Sequence, residues 1–279
     1  MNAMSSAPFD MIASHENALV KRIRLLLRDG GAYRKGGAYW LEGDHLCRAA
    51  HASGRRARVL VWSETGQARA RERLSPEHRM ALDALVGSAE QVVTISDKVL
   101  RALTSLESLP IVSGLFGEDD GTSAPIDPKA PTVILDRLQD PGNVGSIVRS
   151  AAALGFKQLI AMKGSAAIWA PKVVRAGMGA HFALNIFEGC EIADLDSLAV
   201  PLLVTSSHKG EWLHLADLPW PCAWVMGHEG QGVSEGLMAR ASQSIRIVQP
   251  GGEESFNVAA AAAICLHASA AAATSKKAS

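Results

Sequence analysis

Three glycine-rich turns in the second half of the chain each follow a short apolar run, and this pattern constrains the fold most strongly. The runs at 132–135, 223–226 and 245–248 have the length and composition of β-strands. Helix-like segments alternate with them, which favours a mostly parallel sheet covered on both faces. Loops at the carboxyl ends of such strands are where α/β sheets bind ligands. The sequence therefore predicts an α/β fold with a binding site built from these turns.

The same alternation continues along the chain. In the first half we predict helices at 17–27, 76–86 and 97–103, strands at 58–62 and 92–95, and Ser96 as a helix cap. In the second half we predict helices at 143–154, 171–176 and 255–270, strands at 158–162 and 202–205, and an extended segment at 182–187. Residues 117–131 are acidic and contain three prolines, which is typical of a linker. We therefore expect a small α/β domain over 12–116, a linker over 117–131 and a second α/β domain over 132–272.

The neutral net charge hides an uneven distribution. Residues 21–73 carry 13 basic and 5 acidic side chains, although the whole chain has 28 of each. Such an excess in one half-domain favours an anionic partner, and nucleic acid is the natural candidate. The apolar stretch 258–273 is mostly alanine and contains His267, so a packed helix is expected rather than a membrane span. The start of the chain lacks the apolar region of a signal peptide, so we expect a cytoplasmic protein without a membrane partner.

The cysteine and histidine residues give little sign of metal chemistry. No two of the four cysteines, at 47, 190, 222 and 265, are close in sequence, so reduced and mostly buried thiols are expected. His208 and His228 lie in loops without a second ligand at metal spacing, so no metal site is predicted.

The first turn, Gly142 to Gly145, precedes a helix whose N-terminus suits an anion, and Arg149 lies further along that helix. An ordinary strand–turn–helix with a surface arginine is equally compatible. The second turn contains three glycines around Glu229, and it matches neither a P-loop nor the dinucleotide fingerprint. Glu229 could accept hydrogen bonds, bind a cation or be solvated.

The third turn, Pro250-Gly251-Gly252, leads to Ser255 and Asn257 at the start of the alanine-rich helix. Ser255 could cap this helix, contact a ligand, or do both.

Taken together and in this order, the three turns resemble the motifs of the SpoU (TrmH-like) RNA ribose methyltransferases of the SPOUT superfamily. The first motif is similar to 140–145 with Arg149, the second to 227–232 and the third to 254–258. Segments 172–175 and 179–180 also resemble the family. In the first half, Tyr33-Arg34 and the segment 39–43 resemble the family's substrate-binding domain, so the likeness covers nearly the whole chain.

The resemblance implies a parallel sheet whose C-terminal segment threads a trefoil knot, a homodimer with sites at the subunit interface, and S-adenosylmethionine bound in a bent form. Carried across residue by residue, the implied cofactor contacts are Thr205, Gly227, Ile247 and Phe256. The implied catalytic residues are Asn143, Arg149, Glu229, Ser255 and Asn257.

The implied reaction is transfer of a methyl group to a ribose 2′-hydroxyl of structured RNA, and no metal is required. In the family Arg149 would help remove the hydroxyl proton beside an RNA phosphate. Because arginine is ordinarily always protonated, we expect it instead to anchor the phosphate and stabilise the developing alkoxide. Ser255 and Asn257 would orient the substrate and the loop, while Glu229 would organise the glycine turn.

Three positions depart from the family pattern: Val248 replaces a usual proline, Phe256 a leucine and Gly177 a serine. Cofactor binding is still expected, with a less rigid loop at Val248. Ribosomal RNA is favoured over tRNA, since a separate basic domain suits a large folded target. The alternatives are a catalytically inactive RNA-binding or ribosome-assembly factor, and a nucleotide-dependent enzyme that acts on a small molecule.

Overall fold

The computed structural model describes residues 9–104, 106–117, 125–206, 209–251 and 256–278. The chain forms two compact units, one of Met1–Ser123 with Trp169–Arg175 and the other of Ala124–Ile168 with Ala176–Ser279. The segment Trp169–Arg175 thus clusters with the first unit, although it lies in the middle of the predicted second domain.

The first unit is built on a mixed five-stranded sheet of order β1-β4-β3-β5-β2, in which β5 runs antiparallel to both of its neighbours. Its strands are β1 (Met11–Ile12), β2 (Ala38–Glu42), β3 (Ala57–Ser63), β4 (Gln91–Ile95) and β5 (Val112–Gly117). Its helices are α1 (Ala18–Arg28), α2 (Tyr33–Gly36), α3 (Asp44–Ala52), α4 (Gly66–Arg73), α5 (Pro76–Ser88) and α6 (Asp97–Arg101).

The helices and strands predicted for the first half are present with shifted bounds. Ser96 caps α6 as predicted, since its side chain accepts a hydrogen bond from the backbone N–H of Val99. β5 was not predicted, because a glycine inside the strand and another at its end weaken a strand signal. A side chain at Gly114 would lie 2.8 Å from the ring of Phe116, so close packing explains the glycine. β5 ends at Gly117, which is the first residue of the expected linker.

The second unit is built on a seven-stranded, fully parallel sheet of order β10-β12-β9-β11-β6-β7-β8. Its strands are β6 (Thr132–Asp136), β7 (Gln158–Met162), β8 (Asn185–Cys190), β9 (Leu202–Thr205), β10 (Glu211–Trp212), β11 (Ala223–Gly227) and β12 (Gln243–Arg246). Its helices are α7 (Pro141–Ala153), α8 (Pro171–Gly177), α9 (Glu235–Met238) and α10 (Val258–Ala278), with 3-10 turns at Ala180–Ala183 and Ile192–Ser197; α8 begins in the segment that clusters with the first unit.

The predicted parallel α/β architecture of this unit is confirmed, and two strand positions are corrected. β12 ends at Arg246 rather than at Val248, so Ile247 already lies in the following loop. The segment 182–187 is a 3-10 turn followed by β8 rather than one extended stretch. β6, β7 and β11 are buried at every position, which is why their sequences read as continuous apolar runs.

α10 begins at Val258, so the helix predicted from Ser255 starts later. Its capping residue is Asn257, whose side-chain oxygen accepts hydrogen bonds from the N–H groups of Ala259 and Ala260. By length and composition, Val258–Ser275 could cross a membrane, and 28% of this stretch is buried. The helix packs on α7 and β11, and its buried Ser269 accepts a hydrogen bond from the indole of Trp224. This packing is that expected of a helix in a globular unit, so α10 does not indicate a membrane.

All four cysteines are free, as predicted. Burial raises the pKa of the thiol of Cys222 to about 11 and that of Cys265 to about 12. Burial also raises the pKa of Cys47 and, to a smaller extent, that of Cys190. The thiols are therefore protonated and unreactive near neutral pH.

Candidate active site

A cavity of about 1030 Å³ lies at the carboxyl ends of β9, β11 and β12, which are neighbours in the parallel sheet. Thr205 and Gly227 end two of these strands, and Ile247 directly follows the third. Phe256, which precedes α10, contributes to the wall and is 41% exposed. The structure therefore brings together all four residues that the resemblance implies for cofactor binding.

The second glycine turn forms one wall of this cavity and is closed by its own backbone. His228 and Gly232 exchange two backbone hydrogen bonds, of 3.0 and 2.8 Å. The Nδ1 atom of His228 also accepts from the N–H groups of Gly230 and Gln231. A Cβ atom on Gly227 would lie 2.4 Å from the backbone of Gly232 and Val233. Gly227 is therefore required by the tight closure of the turn itself.

Side chains from all three motifs meet in one hydrogen-bonded chain. The amide of Asn257 donates to the oxygen of Asn143 at 2.9 Å, and the amide of Asn143 donates to the Glu229 carboxylate at 3.3 Å. The backbone N–H of Asp140 also donates to Glu229, at 3.4 Å. Because a carboxylate only accepts, this direction fixes which way both asparagine amides face.

The ionisation of Glu229 follows from these contacts. Partial burial acts to raise the pKa of its carboxyl group. Hydrogen bonds from its own backbone N–H, from the Asn143 side chain and from the backbone at Asp140 and Gln139 act in the opposite direction. The net effect holds the pKa of Glu229 below its usual value, so the side chain is a carboxylate at neutral pH.

Arg149 is not part of this chain of contacts. It lies on α7 with its side chain exposed, and within the described residues it forms no ion pair. Ser255, the remaining predicted catalytic residue, lies outside the described residues. The hydrogen-bonded chain therefore contains three of the five predicted catalytic residues, and Arg149 is free to meet a ligand from solution.

Several residues that hold these loops were not among the predicted site residues. Asp140 is the N-cap of α7 and accepts from the N–H of Asn143 at 2.7 Å. The local signal was available, because an N-cap aspartate followed by proline is a common helix start. Asp136 and Arg137, at the end of β6, also hold the second turn through hydrogen bonds with the N–H of Ser234 and the side chain of Gln231. Only their spatial proximity reveals these contacts.

The departures from the family pattern have distinct surroundings. Val248 lines a smaller cavity of about 330 Å³, together with His214 and His267, rather than the larger cavity beside the turns. A Cβ on Gly177 would lie 2.5 Å from the ring of the buried His181, which explains why a serine does not fit there. Among the described residues, no group of three or more His, Cys, Asp or Glu side chains could hold a metal ion.

Comparisons with known proteins agree with this geometry. A model of the SpoU rRNA Methylase family matches residues 130–267. The chain is 31% identical over 224 residues to the 23S rRNA (guanosine-2'-O-)-methyltransferase RlmB of Bordetella pertussis, covering 78% of this chain and 85% of RlmB. It is 25% identical over 237 residues to the 23S rRNA (guanosine(2553)-2'-O)-methyltransferase RlmP of Bacillus subtilis, covering 84% and 88%. The crystal structure of an AdoMet-bound rRNA methyltransferase from Sinorhizobium meliloti superposes with a TM-score of 0.79 at 26% identity, over 93% of this chain and 97% of that chain.

A parallel α/β sheet that brings together side chains from the three motifs defines the class of protein, and these matches define the family. The chain belongs to the SpoU family of RNA methyltransferases. The resemblance predicted from the three motifs is thereby confirmed, as is the prediction of an RNA 2′-O-methyltransferase.

Proposed function

We propose that the protein transfers a methyl group from S-adenosylmethionine to a ribose 2′-hydroxyl of structured RNA. The observation that carries this proposal is the hydrogen-bonded chain of Glu229, Asn143 and Asn257, one side chain from each motif, beside a cavity at the carboxyl ends of the strands. Family membership and the AdoMet-bound relative from S. meliloti support the choice of donor.

The cavity fits such a cofactor in size and in chemistry. Its volume of about 1030 Å³ is at the upper end of the range for small-molecule sites. Ile247 and Phe256 offer apolar surface to an adenine ring, while the strand ends at Thr205 and Gly227 offer backbone hydrogen-bonding groups. When bound, the sulfonium supplies an activated methyl group.

The three motif side chains hold the substrate side of the cavity in one arrangement. The charged Glu229 orients the amide of Asn143, and Asn143 in turn orients the amide of Asn257 at the start of α10. A fixed arrangement reduces the entropy lost when the substrate hydroxyl is aligned for attack. In this proposal Ser255 contributes to orienting the substrate and the loop.

Arg149 provides the positive charge of the proposed reaction. The exposed guanidinium, without an ion pair in the described part of the chain, is available to an RNA phosphate. Deprotonation of the ribose hydroxyl creates negative charge in the transition state, and a nearby guanidinium stabilises that charge. Arg149 therefore acts as an anchor and electrostatic stabiliser rather than as a proton acceptor.

The RNA is held mainly by the first half of the chain in this proposal. The excess of basic residues over 21–73 suits the phosphate backbone of a folded RNA. We assign 12–116 to RNA binding, 117–131 to a linker and 132–272 to the methyltransferase domain. Ribosomal RNA is favoured over tRNA, as the names of RlmB and RlmP support, and a cytoplasmic location accords with that substrate.

The finer fold and assembly follow the family. The chain passes from β9 to β11 and then returns to β12 on the other side of β9. This strand order supports a C-terminal trefoil knot around the cavity. A homodimer is proposed from the resemblance.

The test uses purified full-length protein, labelled S-adenosylmethionine and total RNA. We expect label in RNA at 2′-O-methyl positions that resist alkaline cleavage. RNA retention without labelled RNA would favour the alternative of an inactive RNA-binding factor, and no RNA affinity at any salt concentration would favour a small-molecule enzyme.

The matched variant is Arg149→Ala. It should bind S-adenosylmethionine as the wild type does, and turnover should fall by roughly 100-fold or more. Loss of cofactor binding in calorimetry would contradict the role given to Arg149.

A further inference from the structure

Asp136 is a buried carboxylate that connects the end of β6 to the end of the second turn. It ends β6, lies opposite Gly227 of β11 and is 2% exposed. One carboxylate oxygen accepts from the backbone N–H of Ser234 at 2.6 Å, and the other accepts from Nε of Arg137 at 3.0 Å. The carboxylate therefore holds the exit of the glycine turn and the side chain of its own neighbour.

Arg137 adopts a backbone conformation that usually belongs to glycine. Its φ is +60°. The side-chain hydroxyl of Ser165 supports this conformation, since it accepts from the N–H of Arg137 at 3.1 Å and donates to the carbonyl of Leu135 at 3.0 Å. The left-handed region is strained for a residue that has a Cβ atom. Glycine would adopt this φ without strain, so the strained arginine indicates that its side chain has a function.

The guanidinium of Arg137 reaches the tip of the glycine turn. Its Nη1 donates to the side-chain oxygen of Gln231 at 2.9 Å, across 94 positions in sequence. Gln231 lines the cavity, and its backbone N–H donates to Nδ1 of His228. The hydrogen bond from Arg137 therefore adds a second side-chain contact at the tip of the turn. Together, Asp136 and Arg137 hold the turn at its tip and at its exit.

We propose that Arg137 is a positioning residue for the glycine turn and sets the affinity for the nucleoside cofactor through Gln231. This inference rests on the proposed function. Arg137 does not line the cavity, so it acts on the cofactor through the turn and not by direct contact.

The test compares Arg137→Gly, Arg137→Lys, Gln231→Ala and the double variant Arg137→Ala/Gln231→Ala with its Arg137→Ala parent. The probe is S-adenosylmethionine, measured by calorimetry and by the split between KM and kcat. Loss of one hydrogen bond to a charged donor should weaken binding by roughly three- to tenfold and leave kcat at saturation nearly unchanged. Arg137→Lys keeps one donor and should recover part of the affinity.

Arg137→Gly separates positioning from a merely structural role. Glycine relieves the backbone strain but removes the ion-pair partner of the buried Asp136. These effects oppose each other, so the melting temperature should change little while cofactor affinity falls. The Arg137→Ala and Gln231→Ala losses should not add in the double variant, because both remove the same contact. Lys163→Ala, which removes an exposed cation paired with Glu191, is the control and should bind as the wild type does.

Wild-type cofactor affinity in Arg137→Gly, or additive losses in the double variant, would overturn the inference. Hydrogen exchange of the Gly230–Gly232 amides gives a readout without cofactor, and exchange should be faster in Arg137→Gly. If the wild type does not bind S-adenosylmethionine, the proposed function fails, and the exchange comparison still decides whether Arg137 holds the turn. Unchanged exchange would overturn the inference.

Discussion

Glu229 joins the second motif to the first, because its carboxylate accepts from two donors of the first motif. Its hydrogen bonds come from Asn143 and from the backbone of Asp140. The side-chain oxygen of Asn143 in turn accepts from the amide of Asn257 and so orients it. These hydrogen bonds also hold the pKa of Glu229 below its usual value. A neutral side chain here would no longer dictate which way the Asn143 amide faces.

This low pKa predicts the pH dependence of the site. Because the pKa of Glu229 in the folded protein lies below the usual value of 4.5, the ionised side chain stabilises the site fully above about pH 4.5. This stabilisation is lost as the pH falls through the lowered folded pKa. Calorimetric affinity for S-adenosylmethionine should therefore be constant from about pH 8 to pH 5 and decline at lower pH.

The control for this prediction is Glu229→Gln, which cannot titrate. Its cofactor affinity should be lower than that of the wild type at pH 7 and should lack the decline attributed to Glu229. A wild-type decline with a midpoint above pH 4.5 would contradict the assignment of a lowered pKa.

Two glycines of the glycine turn differ greatly in how much space they leave for an added side chain. A Cβ on Gly227 would lie 2.4 Å from the backbone of Gly232 and Val233, whereas a Cβ on Gly230 meets only the His228 ring at 3.9 Å. Gly227→Ala should therefore open the turn, destabilise the protein by about 1–3 kcal/mol and abolish cofactor binding. Thermal unfolding and calorimetry measure both effects.

Gly230→Ala is the matched control, since it adds the same methyl group to the same turn. It should keep the melting temperature and the cofactor affinity of the wild type. Equal behaviour of the two variants would show that close packing at Gly227 does not hold the turn together.

The end of α8 gives a second prediction at the scale of an element. Gly177→Ser would restore the residue usual in the family, but its Cβ would lie 2.5 Å from the ring of His181. That ring is fully buried and contacts the carbonyl of Ile168 at 3.1 Å, so it has little room to move. We expect a loss of about 1–3 kcal/mol in the free energy of unfolding, measured in urea.

The control for that substitution is Gly87→Ser in α5, where no atom lies within 4 Å of the added Cβ. This variant should be no less stable than the wild type. Wild-type stability of Gly177→Ser would mean that the His181 ring adapts at no cost.

At the scale of elements, the sequence predicted the buried parallel strands well, but it missed β5 and misplaced the end of β12. β6, β7 and β11 are found where their apolar runs predicted, because strands buried on both faces need apolar residues throughout. β5 was missed because its two glycines weaken a strand signal. A Cβ on Gly117 would lie 3.0 Å from the side chain of Arg58, a contact that the local sequence does not reveal. β12 ends before Ile247 because the chain there turns toward the cavity, which local composition does not reveal.

For the whole molecule, the uneven charge distribution has a structural counterpart in the first unit. Arg22, Lys35 and Arg58, here called the basic cluster, border the turn at Gly36 and Gly37. Arg22 donates to the carbonyl of Gly36 at 3.0 Å, and Nη1 of Arg58 is 3.8 Å from the Cβ position of Gly37. None of the three pairs with a carboxylate among the described residues, so their charge is available to a polyanion.

Replacing the basic cluster with alanine should weaken RNA binding about tenfold or more and leave the affinity for S-adenosylmethionine unchanged. A plot of log affinity against log salt should lose about one unit of slope for each phosphate contact removed. Filter binding of structured RNA over a salt series measures both quantities.

The matched control removes three other exposed cations of the same unit, Arg71, Arg73 and Lys98. It changes the net charge equally and should reduce affinity less. An equal loss in the two triple variants would show that only net charge matters and that the basic cluster is not a specific contact surface.

The sequence by itself determined the alternation of helices and strands, the three turns and the uneven charge, since periodicity and turn chemistry act over a few residues. Only the tertiary structure decided which side chains meet. Asn143 and Asn257 are 114 positions apart, and Arg137 and Gln231 are 94 apart. Their contacts depend on β11 lying between β6 and β9 in the sheet. That order is set by the packing of whole elements, which no local run of residues encodes.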